Sequence, residues 1–260
     1  MLWRIPDDLW ELIRVTLLAV ELRPSGGRPW IAPRRIVDGV LFVLRTGCQW
    51  KAPCPGSLAR PRPCIGAFSG GRMRGGGKRC GACSCNMPRR RSSSSGCGSR
   101  PTRPYTKRHW VGKKTGPNPT DRAKSGTKRH VLTDGGGVPL AVVITAANVP
   151  DMRVVGELLD ARVLRAPAGT EQHACLDKGY DYADAERAVR RRRYVPHIRR
   201  RGEERRRCRR GERARRWVVE RTHSWFNRFR KLLIRWEKRP QNYLALVQFA
   251  AMLIVWRLVG

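Results

Sequence analysis

From Gly39 through Thr120 the chain carries not one Asp or Glu, and that gap decides what each part of it can become. Within it, from Ala52 to Trp110, Arg, Gly, Pro, Ser and Cys crowd together; Gly75–Gly77 is one low-complexity run and the residues reading RRRSSSSG, from Arg89, are another. Apolar residues there follow neither a helical nor a strand period, so the segment holds too little buriable surface to offset its ordering entropy. Residues 52–110 are therefore expected to form a disordered basic segment. The mixture is also what a GC-rich coding sequence yields when read out of frame. A zinc site is the competing reading, with Cys80, Cys83, Cys85 and Cys97 as ligands. Its spacing, C-x2-C-x-C, is irregular and no apolar framework surrounds it.

The flanks are different in kind. Residues 1–51 read as two short helices. The first opens at Pro6 and Asp7 with Leu9, Trp10, Leu12, Ile13 and Leu17 on one face; the second starts at Pro33, buries Ile36, Val37, Val40, Leu41 and Leu44, and ends at Thr46–Gly47. A helical pair around a Gly/Pro break in a basic protein permits a helix-turn-helix-like DNA-binding region. Beyond Gly112, regular patterning returns. Strands are expected at Lys128–Thr133 and Val138–Thr145 around a turn at Asp134–Gly137, then a helix capped by Asp151 with Val154, Val155, Leu158, Leu159 and Val163 on its face. A strand at Gln172–Leu176, a helix at Glu186–Arg193 and a strand at Tyr194–Ile198 follow. A long helix at Arg215–Trp236 and another at Asn242–Leu258 complete a mixed α/β sheet flanked by helices.

Charge points to a polyanionic partner. With 55 Lys and Arg against 20 Asp and Glu, the formal net charge is +35. Such a surplus draws nucleic acid through its phosphates. Met1–Leu22 holds Asp7, Asp8, Glu11 and Glu21, unlike a signal peptide, and the apolar stretch Tyr243–Val259 is short for a span, with Arg257 near its end. The expectation is a cytoplasmic protein at the nucleoid, without a membrane.

Two acids stand apart. Asp177, in CLDKGYDY, is the first residue after a predicted buried strand, where open α/β sheets gather catalytic groups; a turn or cap role is the plain alternative. Glu220 falls opposite the apolar stripe Val218, Trp225, Phe229, Leu232 and Trp236, on the side of Arg216, His223, Asn227 and Lys231. A solvated helix face would give the same pattern. Yet Glu220 is the only acid between Glu212 and Glu237, and a lone carboxylate among cations suits a metal ligand beside a phosphate backbone. Phosphodiester chemistry commonly uses two divalent ions held by carboxylates from different elements, and Mg²⁺ suits such an oxygen site.

The stretches GKKTGPNPTDRAKSGTKRHVLTDGGGVPLAVVITAANVPD, CLDKGYDY, YVPHIRRRGEE and the helix RARRWVVERTHSWFNRFRKLLIRW resemble the DDE transposases of bacterial insertion sequences, in the group of insertion sequences four and five. The resemblance implies an RNase H-like catalytic core over 111–260 with Mg²⁺ or Mn²⁺. It implies cleavage at terminal inverted repeats, strand transfer into target DNA, and a homo-oligomer on paired ends. By motif, Asp177 matches the second Asp, Glu220 the Glu, and Arg216 the Arg preceding it; Arg213 stands where a Tyr is frequent and Asn227 where some members have Lys. Arg216, Arg221, His223, Asn227, Arg228 and Lys231, with Lys128 and Arg129 on the hairpin, are the expected DNA contacts. The family's first Asp belongs within Ser95–Arg108, which has no acid, so the triad is expected to be incomplete and its strand lost.

Overall fold

Alternation in residues 125–146 builds the centre of the fold. In the computed structural model, which describes residues 4–18, 31–50, 94–97, 105–108, 113–119, 123–164, 169–198 and 216–259, β4 (Ser125–Thr133) and β5 (Pro139–Ala146) form an antiparallel hairpin in register from Thr127 opposite Ala146 to Leu132 opposite Ala141. The turn between them is held by Asp134, whose Oδ1 accepts the N–H groups of Gly136 (2.9 Å) and Val138 (2.8 Å). Gly137 adopts φ 86°, a conformation that favours glycine.

The sheet grows from β4. Strand β1 (Ser94–Cys97) lies between β4, to which it is antiparallel, and β6 (Gln172–Leu176), to which it is parallel; β7 (Tyr194–Ile198) runs parallel to β6. The order β5-β4-β1-β6-β7 results. Strand β2 (Tyr105–Arg108) continues along β4 and pairs parallel with β8 (Ile234–Arg235), and β3 (Gly116–Pro117) pairs with the start of β4.

Strands β1 and β2 depart from the expectations for 52–110 at eight of its residues, and β1 stands where the first strand was expected to be lost. A strand between two well-patterned neighbours takes its backbone hydrogen bonds from them and needs little apolar sequence of its own. The core therefore begins near Ser94, not at 111. Cys80, Cys83 and Cys85, the expected zinc ligands, lie outside the described residues, as does the rest of 52–110 apart from these two strands.

Contacts divide the chain into two units, 1–89 with 229–231, and 90–228 with 232–260. In the first, α1 (Asp7–Leu18) packs against α2 (Pro33–Thr46). Every residue of α2 from Val37 to Leu44 is buried, and Gly47 ends the helix in the left-handed conformation with its N–H on the Val43 carbonyl, as the sequence predicts. Leu12, expected on the buried face of α1, is 65% exposed.

In the second unit one sheet face buries Leu132, Ala141, Val143, Ala174, Leu176 and Tyr194 against α3 (Val155–Asp160) and α4 (Ala183–Arg191). The helix expected to start at Asp151 opens instead as a 3-10 turn over Asp151–Arg153, because Asp151 pairs with Lys128 (3.2 Å) rather than capping, and Val163 is exposed. On the other face α5 (Arg216–Asn227) packs on β4 and β1, and α6 (Pro240–Val259) on β5. Helix α6 is long and apolar enough to cross a membrane, yet it buries Tyr243, Leu246, Val247, Phe249, Ala250, Leu253 and Ile254.

The long helix expected over 215–236 stops at Asn227. A 3-10 turn (Arg230–Leu232) and β8 follow, because Arg235 is wholly buried and reaches back to the Lys113 carbonyl (3.2 Å), the Lys114 carbonyl (3.1 Å) and Thr127 Oγ1 (2.7 Å). That grip cannot form from a continuing helix.

Candidate active site

Strand β6 alternates as its sequence predicts: Ala174 and Leu176 enter the core, while His173 and Cys175 stay half-buried on the opposite face. Continuing that alternation places Asp177 on the face of His173 and Cys175. Its backbone carbonyl accepts the Tyr180 N–H (2.9 Å), opening a short 3-10 turn that buried Tyr180 anchors in the core. Leu176 pairs with Cys97 of β1 and Ile198 of β7, so three parallel strands end at one level and Asp177 is the next residue out. Carboxyl ends of parallel strands are where α/β sheets expose ligand-binding groups.

Glu220 is exposed on α5, which buries Val218, Val219, Thr222 and Phe226. Thr222 Oγ1 donates to the Gly137 carbonyl (2.7 Å), and Asn227 Oδ1 accepts from Arg129 Nη2 (2.9 Å), so the middle and the C-terminal end of the helix are fixed on the β4–β5 hairpin. Helix α5 also packs on β1, the strand beside β6. Asp177 and Glu220 thus belong to elements on one face of the sheet, one strand apart. Trp225 is half-buried and Trp236 is 49% exposed, so the buried stripe of α5 runs through Thr222 and Phe226 instead.

A divalent ion needs more donors than these. Among the described residues no three His, Cys, Asp or Glu side chains gather closely enough to hold a metal. Strand β1, the neighbour that could bring a third carboxylate to Asp177, reads Ser-Ser-Gly-Cys. The described residues do not fit a two-metal site.

Most of the expected DNA contacts have partners inside the protein. Arg129 and Lys231 are each only 3% exposed, against the expectation of surface phosphate contacts. Lys231 Nζ donates to the Cys48 carbonyl (3.4 Å) and lies over the Trp50 ring (5.7 Å); it sits beyond the end of α5, off the polar face that sequence spacing assigned it. Lys128 Nζ donates to the Val149 carbonyl (2.9 Å) and to Asp151. Arg221 donates to the Gly136 carbonyl and stacks between Trp217 (4.7 Å) and Trp225 (5.0 Å). Burial, reinforced by the charges of Arg129 and His130, pushes the His223 pKa down to about 3, so that ring is neutral at pH 7 and offers phosphate no charge. Arg228 is exposed, and Arg216 opens α5.

Sequence reasoning passed over other polar groups. Asp38, buried in the apolar run of α2, accepts the Ile5 N–H (2.8 Å); its position in that run was the available signal. His130 bonds Thr145 Oγ1 (2.8 Å) and faces Asp151 (3.9 Å), with burial pushing its pKa down to about 4. Nothing in the local sequence marks Arg235.

The family described as the transposase DDE domain matches residues 92–255, beginning two residues before β1, and a second family, described as a transposase of the IS4/5 family, matches residues 5–64. A protein of Burkholderia cepacia named as transposase for insertion sequence element IS402 is 43% identical over 154 residues, which is 57% of this chain and 72% of that one. No solved structure matches the chain. The chain belongs to the DDE transposases of insertion sequences, in the IS4/5 family, an enzyme class that cuts and joins DNA. Domains of this class have an RNase H-like α/β fold, in keeping with the mixed sheet and the helices on both its faces.

Proposed function

We propose that this chain recognises the terminal inverted repeats of an insertion sequence and engages target DNA, but stops short of Mg²⁺-dependent cleavage and strand transfer. Asp177 and Glu220 are two of the three carboxylates that a DDE site requires, and no third joins them among the described residues. One observation carries this reading: Asp177 emerges at the aligned ends of β1, β6 and β7, and β1 has no acid to set beside it. Losing a charge-stabilising group at a phosphoryl-transfer site costs several kcal/mol of barrier. Arg228, exposed just beyond α5, suits phosphate contact, and Arg216 joins it on the motif alone. The reading extends to a nucleoid-associated protein of the cytoplasm that works as a homo-oligomer on paired DNA ends.

A second reading, a basic protein that holds DNA with no relation to inverted repeats, makes a different prediction. Gel-shift titration should show preference for inverted-repeat duplexes over scrambled ones of equal length, and none if the second reading holds. Glu220→Gln should leave this binding unchanged. Strand-transfer products should be absent with and without the substitution. Products from the unmodified chain that vanish in Glu220→Gln would establish a complete enzyme and overturn the proposal.

A further inference from the structure

Beside the transposase chemistry, and independent of it, strands β6 and β7 carry an arrangement that no DNA role uses. His173 on β6 and His197 on β7 share the sheet face opposite the apolar core, since Ala174, Leu176, Tyr194 and Ile198 all point to the other side. Their rings approach with His173 Nδ1 2.9 Å from His197 Nε2, centroids 5.0 Å apart and planes 41° from parallel. Glu171 lies 3.8 Å from the other nitrogen of His173, Nε2.

We propose that His173 and His197 form a binding site for a late first-row transition ion of the Ni²⁺, Cu²⁺ and Zn²⁺ class. Two imidazole nitrogens bound cis to one ion, at metal–nitrogen distances of about 2.0–2.1 Å, stand about 2.9 Å apart in square or octahedral geometry and about 3.3 Å apart in tetrahedral geometry. The separation here matches the first without movement of either strand. In the ion-free protein a single proton lies between the two nitrogens; an ion replaces it and releases it to solvent. The parallel β6–β7 ladder fixes both backbones, so little ordering is needed on binding. The Glu171 carboxylate, 3.8 Å from the outer nitrogen of His173, stands on the side where an outer-shell partner of a metal-bound imidazole sits.

With only two protein ligands, water completes the coordination. Both rings reach solvent: the His173 side chain is 31% exposed and His197 is an exposed residue of the edge strand. Imidazole donors discriminate against Mg²⁺, which prefers oxygen, so this site is distinct in chemistry from that at Asp177. It also lies four residues upstream of Asp177.

Titration of the full chain with Ni²⁺, after its accessible thiols are blocked with N-ethylmaleimide, tests the assignment by calorimetry. One Ni²⁺ should bind per chain at micromolar affinity, Cu²⁺ more tightly, and Mg²⁺ should not compete. His173→Gln, at a half-buried position, and His197→Gln, at an exposed one, should each weaken Ni²⁺ at least tenfold while leaving the thermal unfolding midpoint unchanged. Ni²⁺ bound equally well by both variants, or not at all by the unmodified chain, would overturn the site.

Discussion

Asp38 shows how a single polar residue can be decisive in an apolar helix. Its carboxylate satisfies the Ile5 N–H inside the small helical unit, where both groups are cut off from water. Replacing it with Ala leaves that donor unpaired, and about 1–3 kcal/mol of stability should be lost in chemical denaturation, whereas Leu12→Ala, at an exposed position, should change stability by less than about 0.5 kcal/mol. His130 and His223 supply a second test at this scale. Burial keeps both neutral in the folded protein, with pKa values near 4 and 3, while the unfolded chain takes up protons below pH 6.5. Between those limits the unfolded state binds more protons, so stability falls as pH drops from 6.5 toward 4, by on the order of 3 kcal/mol for each ring. Melting temperatures recorded across that range should decline, and His223→Phe should flatten part of the slope; an unchanged slope would remove His223 from the account. Of the proposed site, Asp177 and Glu220 stand out in the sequence, one as an acid directly after a buried strand and the other as a lone acid amid cations. The fates of Arg129 and Lys231 were not, since their sequence neighbours give no hint that Asn227 and Cys48 would receive them.

At the scale of elements, period-two patterns were read correctly and mixed ones were not. The bounds of β6 and β7 follow from sequence because each has a clear inward side and a turn beyond. Strand β1 was invisible for the opposite reason: Ser-Ser-Gly-Cys has no pattern, and its place is set by backbone pairing to β4 and β6, far away in the chain. The break after Asn227 was equally hidden, because helical spacing of apolar residues persists through Leu232 and Trp236. What ends the helix is a long-range event, the burial of Arg235 with its guanidinium on three acceptors from residues 113–127 and its face over Tyr243 (5.8 Å). Arg235→Met should strand those acceptors and lower stability by on the order of 3 kcal/mol, since each unmet buried group costs about 1–3 kcal/mol. A melting temperature equal to that of the unmodified chain would show that β8 is held by other means.

For the whole molecule, the charge of +35 and the acid-free stretch pull in different directions. The charge implies DNA affinity governed by counterion release, so the logarithm of the binding constant should fall linearly with the logarithm of salt concentration; a flat salt response would exclude phosphate contact as the main source of affinity. The acid-free stretch bears on the gene. The two family matches leave residues 65–91 between them, inside the segment whose composition suggests an out-of-frame reading. Translating codons 50 to 112 in the other two frames should then yield a peptide with acids and regular periodicity, including an Asp near the position of β1, and failure to find one would dismiss that origin. Either way the chain as it stands sets Asp177 beside a strand without a carboxylate. Mn²⁺ binding followed by electron paramagnetic resonance, with the protein free of DNA, tests this most directly. Only weak, millimolar binding that Asp177→Asn barely alters is predicted; one Mn²⁺ held per chain at micromolar affinity, and lost in Asp177→Asn, would contradict it.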